Sequence, residues 1–216
     1  MTKARAAALL AVVVLIAAGC GDDSSSNDTS STSAEKAPVP ASLRTIESAS
    51  EDIIDLALAG KRAEVVARAK KLDAAAATQS AALKSRARRV TELAPDAPLL
   101  NVALASNQVF ALVPALFARY DTPVPAAVTE LDYLDFESKL ESRAKDTERL
   151  RAAVAQLQDK WTALRGDVPD DRVVARYDAH VKAMEDLASN ADPEKTQREA
   201  QNGLNLVDEI EGAYEG

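Results

Sequence analysis

From residue 38 onward the sequence predicts an all-α protein, a helical bundle of about six to seven helices. This part of the chain is rich in Ala, Leu, Glu, Arg and Lys, which are strong helix formers. It contains only five glycines, and its prolines occur in a few clusters that mark helix ends. No segment shows the alternation of β-branched and polar residues that is typical of a strand.

Apolar residues recur at intervals of three and four, which places them on one face of a helix. One run of this kind consists of Leu150, Val154, Leu157, Trp161 and Leu164. A second run consists of Val174, Tyr177, Val181, Met184 and Leu187. The spacing and the breakers together predict helices over about 41–59, 61–92, 98–120, 126–145, 147–165, 170–190 and 194–214.

Prolines support several of these boundaries. Asp192-Pro193 has the form of a helix start, in which the Asp caps the helix and the Pro occupies its first turn. Pro114 lies inside the predicted helix 98–120, where its ring should clash with a carbonyl one turn back and kink the helix.

The two halves of the predicted bundle resemble each other. Residues 38–47 align with residues 123–132 at an offset of 85, and the Pro-Val-Pro at the start of each segment is identical. Near the ends of the halves, residues 112–120 pair with residues 206–214 at an offset of 94. These offsets suggest a tandem duplication of a unit based on an αα-hairpin, with repeats 38–121 and 122–216. We expect the halves to form one compact bundle.

The first residues have the pattern of an export signal. Lys3 and Arg5 precede an unbroken apolar run of 13 residues from Ala6 to Ala18. As a helix this run would span about 20 Å, which is shorter than the roughly 30 Å hydrocarbon core of a bilayer. The run therefore predicts a cleaved signal and not a permanent membrane span.

The signal ends in Ala17-Ala18-Gly19-Cys20, and Cys20 is the only cysteine of the chain. This motif resembles the lipobox of bacterial lipoprotein signal peptides, although that family most often has Leu where this chain has Ala17. The resemblance implies removal of residues 1–19 and attachment of diacylglycerol to the Cys20 sulfur, with palmitate among the acyl chains. It also implies a cell membrane location on the extracytoplasmic face or the periplasmic side. The alternative is an ordinary secretory signal that ends near a cysteine.

Residues 20–37 follow as a polar segment rich in Ser, Asp and Thr. Because it has no large apolar residue after Cys20, it cannot bury enough surface to offset the entropy of ordering. We expect a disordered tether between the lipid and the bundle at 38–216. The bundle loosely resembles secreted helical-bundle domains of bacterial lipoproteins, and this resemblance implies no mechanism.

Composition excludes several classes of function. The pI of about 4.8 and the net charge of -8 argue against a nucleic-acid partner. One cysteine cannot form an internal disulfide or a thiolate metal site, and one histidine cannot supply a di-iron bundle site. We find no catalytic constellation and no phosphate-binding loop, so we expect neither an enzyme nor a bound cofactor. The basic run 84–89 is the one positive cluster in an acidic body.

Five residues are candidates for a ligand or metal site. Asp132, Tyr133 and Asp135 belong to the densest acidic and aromatic segment, and Trp161 and His180 lie on two later helices. Carboxylate oxygens could bind a divalent cation, and the aromatic rings could contact a cationic ligand. The alternative is structural, with acids that complement a helix N-terminus, aromatics that fill the core and a histidine without a functional role.

The sequence therefore supports two functional hypotheses. The first is a lipid-anchored, non-enzymatic bundle that acts through contacts with an envelope protein or polymer and with the membrane through Cys20. The second is a solute- or metal-binding lipoprotein whose ligand lies between the two halves, near Tyr133, Phe136, Trp161 and His180.

Overall fold

Helices form nearly all of the part of the chain that the structure describes, residues 36–190 and 192–216 of a computed structural model. Signal, lipidation site and most of the predicted tether lie outside these residues. The α-helices, in order, are α1 Ala41–Leu58, α2 Arg62–Ala76, α3 Ala81–Leu93, α4 Leu99–Phe110, α5 Val113–Phe117, α6 Ala126–Ala144, α7 Thr147–Leu164, α8 Asp171–Asn190 and α9 Pro193–Glu215. This confirms the all-α class and the helical bundle.

Two predicted helices are each divided in the structure. The predicted helix 61–92 ends as α2 at Ala76, and α3 starts at Ala81. The division has a local cause, because the Ser80 hydroxyl accepts a hydrogen bond of 3.3 Å from the Leu83 amide and so caps α3. The even distribution of small apolar residues along this segment concealed the break.

Pro114 has a larger effect than the predicted kink. The helix ends at Phe110, and Pro114 lies in the first turn of the separate short helix α5. Proline is well tolerated there, because the first-turn amides of a helix have no partner within it. Together the two divisions explain why the described chain has nine α-helices and not six to seven.

The two halves have the same helix order and the same pattern of contacts. In the first half α1 packs on α2, α2 on α3, α3 on α4, and α4 returns to α1. In the second half α6, α7, α8 and α9 repeat this cycle. Each half is therefore a four-helix arrangement.

Helix starts follow the offsets read from the sequence. α6 begins 85 residues after α1, at Ala126 compared with Ala41, and α7 begins 85 residues after α2. α9 begins 94 residues after α4, at Pro193 compared with Leu99. The difference arises in two places. α8 begins 90 residues after α3, at Asp171 compared with Ala81, and the offset then grows to 94 because α8 is longer than α3, with 20 residues compared with 13. This is the arrangement that the duplication hypothesis predicts.

Within the one compact unit that the described residues form, the buried apolar side chains make two cores, and α6 contributes to both. Apolar residues of α1 to α5 form the first core, and those of α6 to α9 form most of the second. Phe136 and Leu140 of α6 belong to the first core, whereas Leu131 and Leu134 of the same helix belong to the second. The Phe136 ring meets the Phe110 ring edge to face, with centroids 6.1 Å apart. α6 therefore serves both halves at once.

The start of the described chain is fixed beside α5. The Asp121 amide donates to the Ala37 carbonyl at 2.8 Å, and Pro38 forms an isolated β-bridge with Asp121. The Lys36 ammonium donates to the Ala118 carbonyl at 3.0 Å. The N-terminal chain thus enters the bundle at the end of α5.

One segment, Leu99–Phe117, is long and apolar enough to cross a membrane by length and composition alone. It comprises α4 and α5, and the turn between them interrupts it. Val109, Phe110 and Val113 of this segment lie in the first core, so burial inside the bundle accounts for part of its apolar composition.

Candidate functional site

Four polar side chains meet inside the second half. The Asp135 carboxylate accepts a hydrogen bond of 2.8 Å from the Tyr177 hydroxyl and lies 3.0 Å from His180 Nε2. His180 Nδ1 lies 2.9 Å from Glu199 Oε1. The side chains of Asp135 and His180 are both 0% exposed. We call these four residues the Asp135 cluster.

Helix geometry explains how the cluster forms. Tyr177 and His180 are three residues apart on α8 and therefore share one face, which is turned toward Asp135 on α6. On α9, Glu199 and Gly203 are four residues apart and also share a face. A Cβ atom at Gly203 would overlap the Asp135 carboxylate and the His180 ring. Only glycine at this position lets α9 approach closely enough.

The contacts of His180 determine its protonation state. Burial lowers its pKa, but the charge of Asp135 and the hydrogen bonds to Asp135 and Glu199 outweigh burial and raise it to about 9. The protonated ring donates from Nε2 to Asp135 and from Nδ1 to Glu199. The hydrogen bond from His180 in turn lowers the pKa of Glu199. Both ring nitrogens are occupied, so this histidine has no free lone pair for a metal or a substrate proton.

Trp161 lies beside this cluster without joining it. Its indole nitrogen donates to Asp178 at 2.7 Å, and its ring centroid is 4.5 Å from that of Tyr177. The other oxygen of Asp178 pairs with Arg165 at 2.7 Å. Trp161 thus closes the side of the cluster with an apolar ring whose polar edge is satisfied.

A second set of polar side chains lies where the two halves meet. The buried Asn107 of α4 donates to Glu137 of α6 at 2.7 Å. Arg149 of α7 pairs with Glu137 at 2.9 Å and with Glu141 at 3.0 Å. Burial, opposed by Arg149 and reinforced by Glu137, raises the pKa of Glu141 to about 7. Tyr133, Glu137 and Arg149 line a cavity of about 190 Å³ on this side.

On another side of α6, carboxylates of α1, α6 and α9 are near enough for their charges to raise one another's pKa. We call Glu47 and Glu51 of α1, Asp132 of α6, and Asp208 and Glu211 of α9 the acidic seam. Burial and the charge of Glu51 raise the pKa of Glu47 to about 8, while burial and the charge of Glu211 raise that of Glu51 to about 7. Burial and the charge of Glu51 also raise the pKa of Asp132 well above its usual range.

Lys139 is the cation nearest to the seam along α6. Its ammonium pairs with Asp55 of α1 at 3.8 Å and donates to Gln201 of α9 at 2.6 Å. The charge of Asp132 also acts on this lysine. Lys139 thus connects all three helices of the seam at one position.

The five residues singled out in the sequence occupy different environments. Asp135 and His180 contact each other directly, and Trp161 lies next to them within the second half. Tyr133 lines the cavity of about 190 Å³ beside Arg149, and Asp132 belongs to the acidic seam. Of the residues named in the hypothesis of a ligand between the halves, Trp161 and His180 lie inside the second half, and Tyr133 and Phe136 lie where α6 meets the first half.

Sequence reasoning missed Glu199, Gly203 and the two glutamates of α1. A signal existed only for Gly203, because a glycine inside a helical pattern is costly and often marks a close approach. Glu199, Glu47 and Glu51 resemble any other acidic residue on an amphipathic helix, since their partners are distant in the chain.

Among residues 36–190 and 192–216, no group of three or more His, Cys, Asp or Glu side chains is arranged to hold a metal ion. The comparisons with profiles of protein families, with curated proteins and with solved structures find no match to this chain.

We predict opposite effects for two glycine substitutions in α9. Gly203→Ala should lower the free energy of unfolding by roughly 1–3 kcal/mol, because the new methyl group must displace Asp135 and His180. Gly212→Ala should raise it by about 0.5–1 kcal/mol, because nothing lies within 4 Å of that position and alanine favours the helix. Urea unfolding of both variants measures the difference. Stabilisation by both substitutions would contradict the close contact at Gly203.

We also predict that stability falls as the pH rises from about 5 to 9. Each carboxyl with a raised pKa binds in the folded state a proton that the unfolded chain has already released, so its ionisation favours unfolding. The stabilisation from His180 is present below about pH 6.5 and is lost as the pH rises through about 9, so it acts in the same direction.

Glu51→Gln tests this dependence, because an amide cannot ionise. Between pH 5 and 8 the free energy of unfolding of this variant should fall by up to about 3 kcal/mol less than that of the wild type. This difference corresponds to the raised pKa of the single group Glu51. The matched control is Glu194→Gln on α9, whose side chain is 87% exposed. If the free energy of unfolding falls equally with pH in the wild type and in Glu51→Gln, ionisation of Glu51 does not destabilise the folded protein.

Proposed function

We propose that this protein is a lipid-anchored, extracytoplasmic helical bundle that acts by contact with another component of the envelope and catalyses no reaction. The observation that carries the proposal is that the only cysteine, Cys20, ends a signal-like segment in the sequence Ala17-Ala18-Gly19-Cys20. Two acyl chains on this residue would anchor the protein stably, whereas one chain binds only reversibly. The membrane would thus be its first partner.

The arrangement of polar groups in the bundle favours a binding role over catalysis. A catalytic base needs access to the proton that it removes. The chain's single histidine is fully buried and bonded through both nitrogens. The Asp135 carboxylate is likewise occupied by Tyr177 and His180. These groups stabilise the fold, which leaves the outer helix faces as the surfaces for contact with a partner.

The lipid anchor has a direct test. Cells that express the full chain and grow on radiolabelled palmitate should yield a labelled protein in the membrane fraction. Cys20→Ala should abolish the label, because thioether attachment needs the sulfur. Ser24→Ala is the matched control, since it changes a nearby polar residue and leaves Cys20 intact. Label that persists in Cys20→Ala would contradict the anchor.

A second candidate function is retention of a small cationic solute at the junction of the halves. A cavity of about 240 Å³ is lined by residues of both halves, including Arg44, Glu47, Glu211 and Glu215. Drug-sized ligands occupy pockets of roughly 300–1,000 Å³, so only a smaller molecule or ion would fit.

This second candidate is tested by native mass spectrometry of the protein purified from its own membranes. A retained mass that Glu47→Gln or Glu211→Gln abolishes would support solute binding. The bare protein mass would count against it and favour the contact role.

A further inference from the structure

We propose that the surface around α5 lies on the lipid bilayer and orients the bundle on the membrane. This proposal deepens the one above and rests on it, because it assumes a lipid on Cys20. The α5 surface consists of the half-buried Val39, Leu112, Leu116 and Tyr120, the exposed Ala115, and the exposed cations Lys36 and Arg119.

The first argument is where the chain enters the bundle. Lys36 and Ala37 are fixed by hydrogen bonds to Ala118 and Asp121, at the end of α5. Everything before Lys36 in the chain therefore joins the body at this corner. Cys20 precedes Lys36 by 16 residues, a span of at most roughly 55 Å when fully extended.

The second argument is the composition of the segment that forms this corner. Between Asp96 and Asp121 the chain has no acidic residue, although it has 34 Asp and Glu in total. Within the apolar segment Leu99–Phe117 only Asn101 and Ala115 are exposed, and the other residues are buried or half-buried. At the α5 end of this segment every side chain that keeps some exposure is apolar, namely Ala111, Leu112, Ala115 and Leu116. A hydrocarbon boundary accepts apolar side chains more readily than water does.

The third argument is the order of polar groups around the apolar side chains. Tyr120 lies next to Arg119, and Lys36 reaches the Ala118 carbonyl. Tyrosine is enriched where a protein meets the headgroup layer, and Lys and Arg can extend their charges into it. Asp121 is exposed at one edge of the surface, and its own amide is bonded to Ala37. At another edge Val39 lines the cavity that Glu47, Glu211 and Glu215 also line.

The anchor makes even a weak contact effective. Short flexible connections give effective concentrations on the order of millimolar, so the small α5 surface need not bind free vesicles tightly. Without such a contact the bundle would be free to move away from the bilayer. The longest helix, α9, has 23 residues and is about 35 Å long, and the extended connecting chain is longer than that. The two arrangements differ in how close α5 lies to lipid.

The experiment measures this distance in the full, natively lipidated protein. Because Cys20 is blocked by lipid, Ala115→Cys supplies a single reactive thiol at the exposed α5 position. The matched control is Ala179→Cys, which is equally an exposed alanine but lies on α8. Both variants carry a thiol-linked fluorophore in vesicles of phosphatidylethanolamine and phosphatidylglycerol, with nitroxide-labelled phospholipid as the quencher.

We expect quenching at position 115 to exceed that at position 179 several-fold. Adding Leu116→Glu to Ala115→Cys should reduce the quenching toward the level of the control, because a carboxylate opposes contact with lipid. The matched substitution Leu187→Glu changes a half-buried leucine of α8 and should leave the quenching unchanged. Circular dichroism of each variant confirms that the helices remain folded.

Equal quenching at positions 115 and 179 in palmitate-labelled protein would overturn the α5 surface and leave the lipid anchor intact. Absence of the palmitate label, together with reaction of Cys20 with the fluorophore in the wild type, would overturn both proposals. The two failures are therefore distinguishable in one set of samples.

Discussion

The structure depends on the burial of α6, a helix of the second half that also packs against the first half. This helix packs against α4 and α5 of the first half and against α7 and α9 of the second, and it contributes side chains to both cores. An amphipathic helix normally turns one face to water. α6 has little such face, and its buried polar residues are Thr129, Asp135, Glu137, Ser138, Glu141 and Ser142. A polar group that loses water needs a partner inside the protein.

The partners of Asp135, Glu137, Glu141 and Ser142 come from helices of both halves. Asp135 is satisfied by α8, Glu137 by Asn107 of α4 and Arg149 of α7, and Ser142 by the Pro193 carbonyl. Each contact restricts the rotation and the sliding of α6 relative to its neighbours. Such buried charge networks contribute little net stability, but a missing partner is costly. The Asn107–Glu137 contact therefore favours one register of the two halves, whereas the Asp135 cluster fixes the packing of α6, α8 and α9 within the second half.

Much of the fold was predictable because local chemistry sets the helix ends. The prolines at 40, 125 and 193 mark helix starts that the structure places within a residue or two of the sequence estimate. The offsets of 85 and 94 likewise reappear in the starts of corresponding helices. The break at Ser80 was missed because its cap is a single hydrogen bond within an alanine-rich segment. The candidate site was only partly predictable, because Asp135 and His180 are 45 residues apart and nothing in their own segments indicates the contact.

By itself the sequence determined the helical class, the equivalent order of the two halves and the residues most suited to polar chemistry. These follow from periodicity, helix-breaking residues and composition, which act over a few turns of chain. Only the tertiary structure decided three other features. α6 is shared by two cores, and the absence of a side chain at Gly203 leaves room for the Asp135 cluster. Five carboxylates of α1, α6 and α9 form the acidic seam. The physical reason is that burial and charge interactions depend on which helix faces meet in space, and those faces belong to segments far apart in the chain.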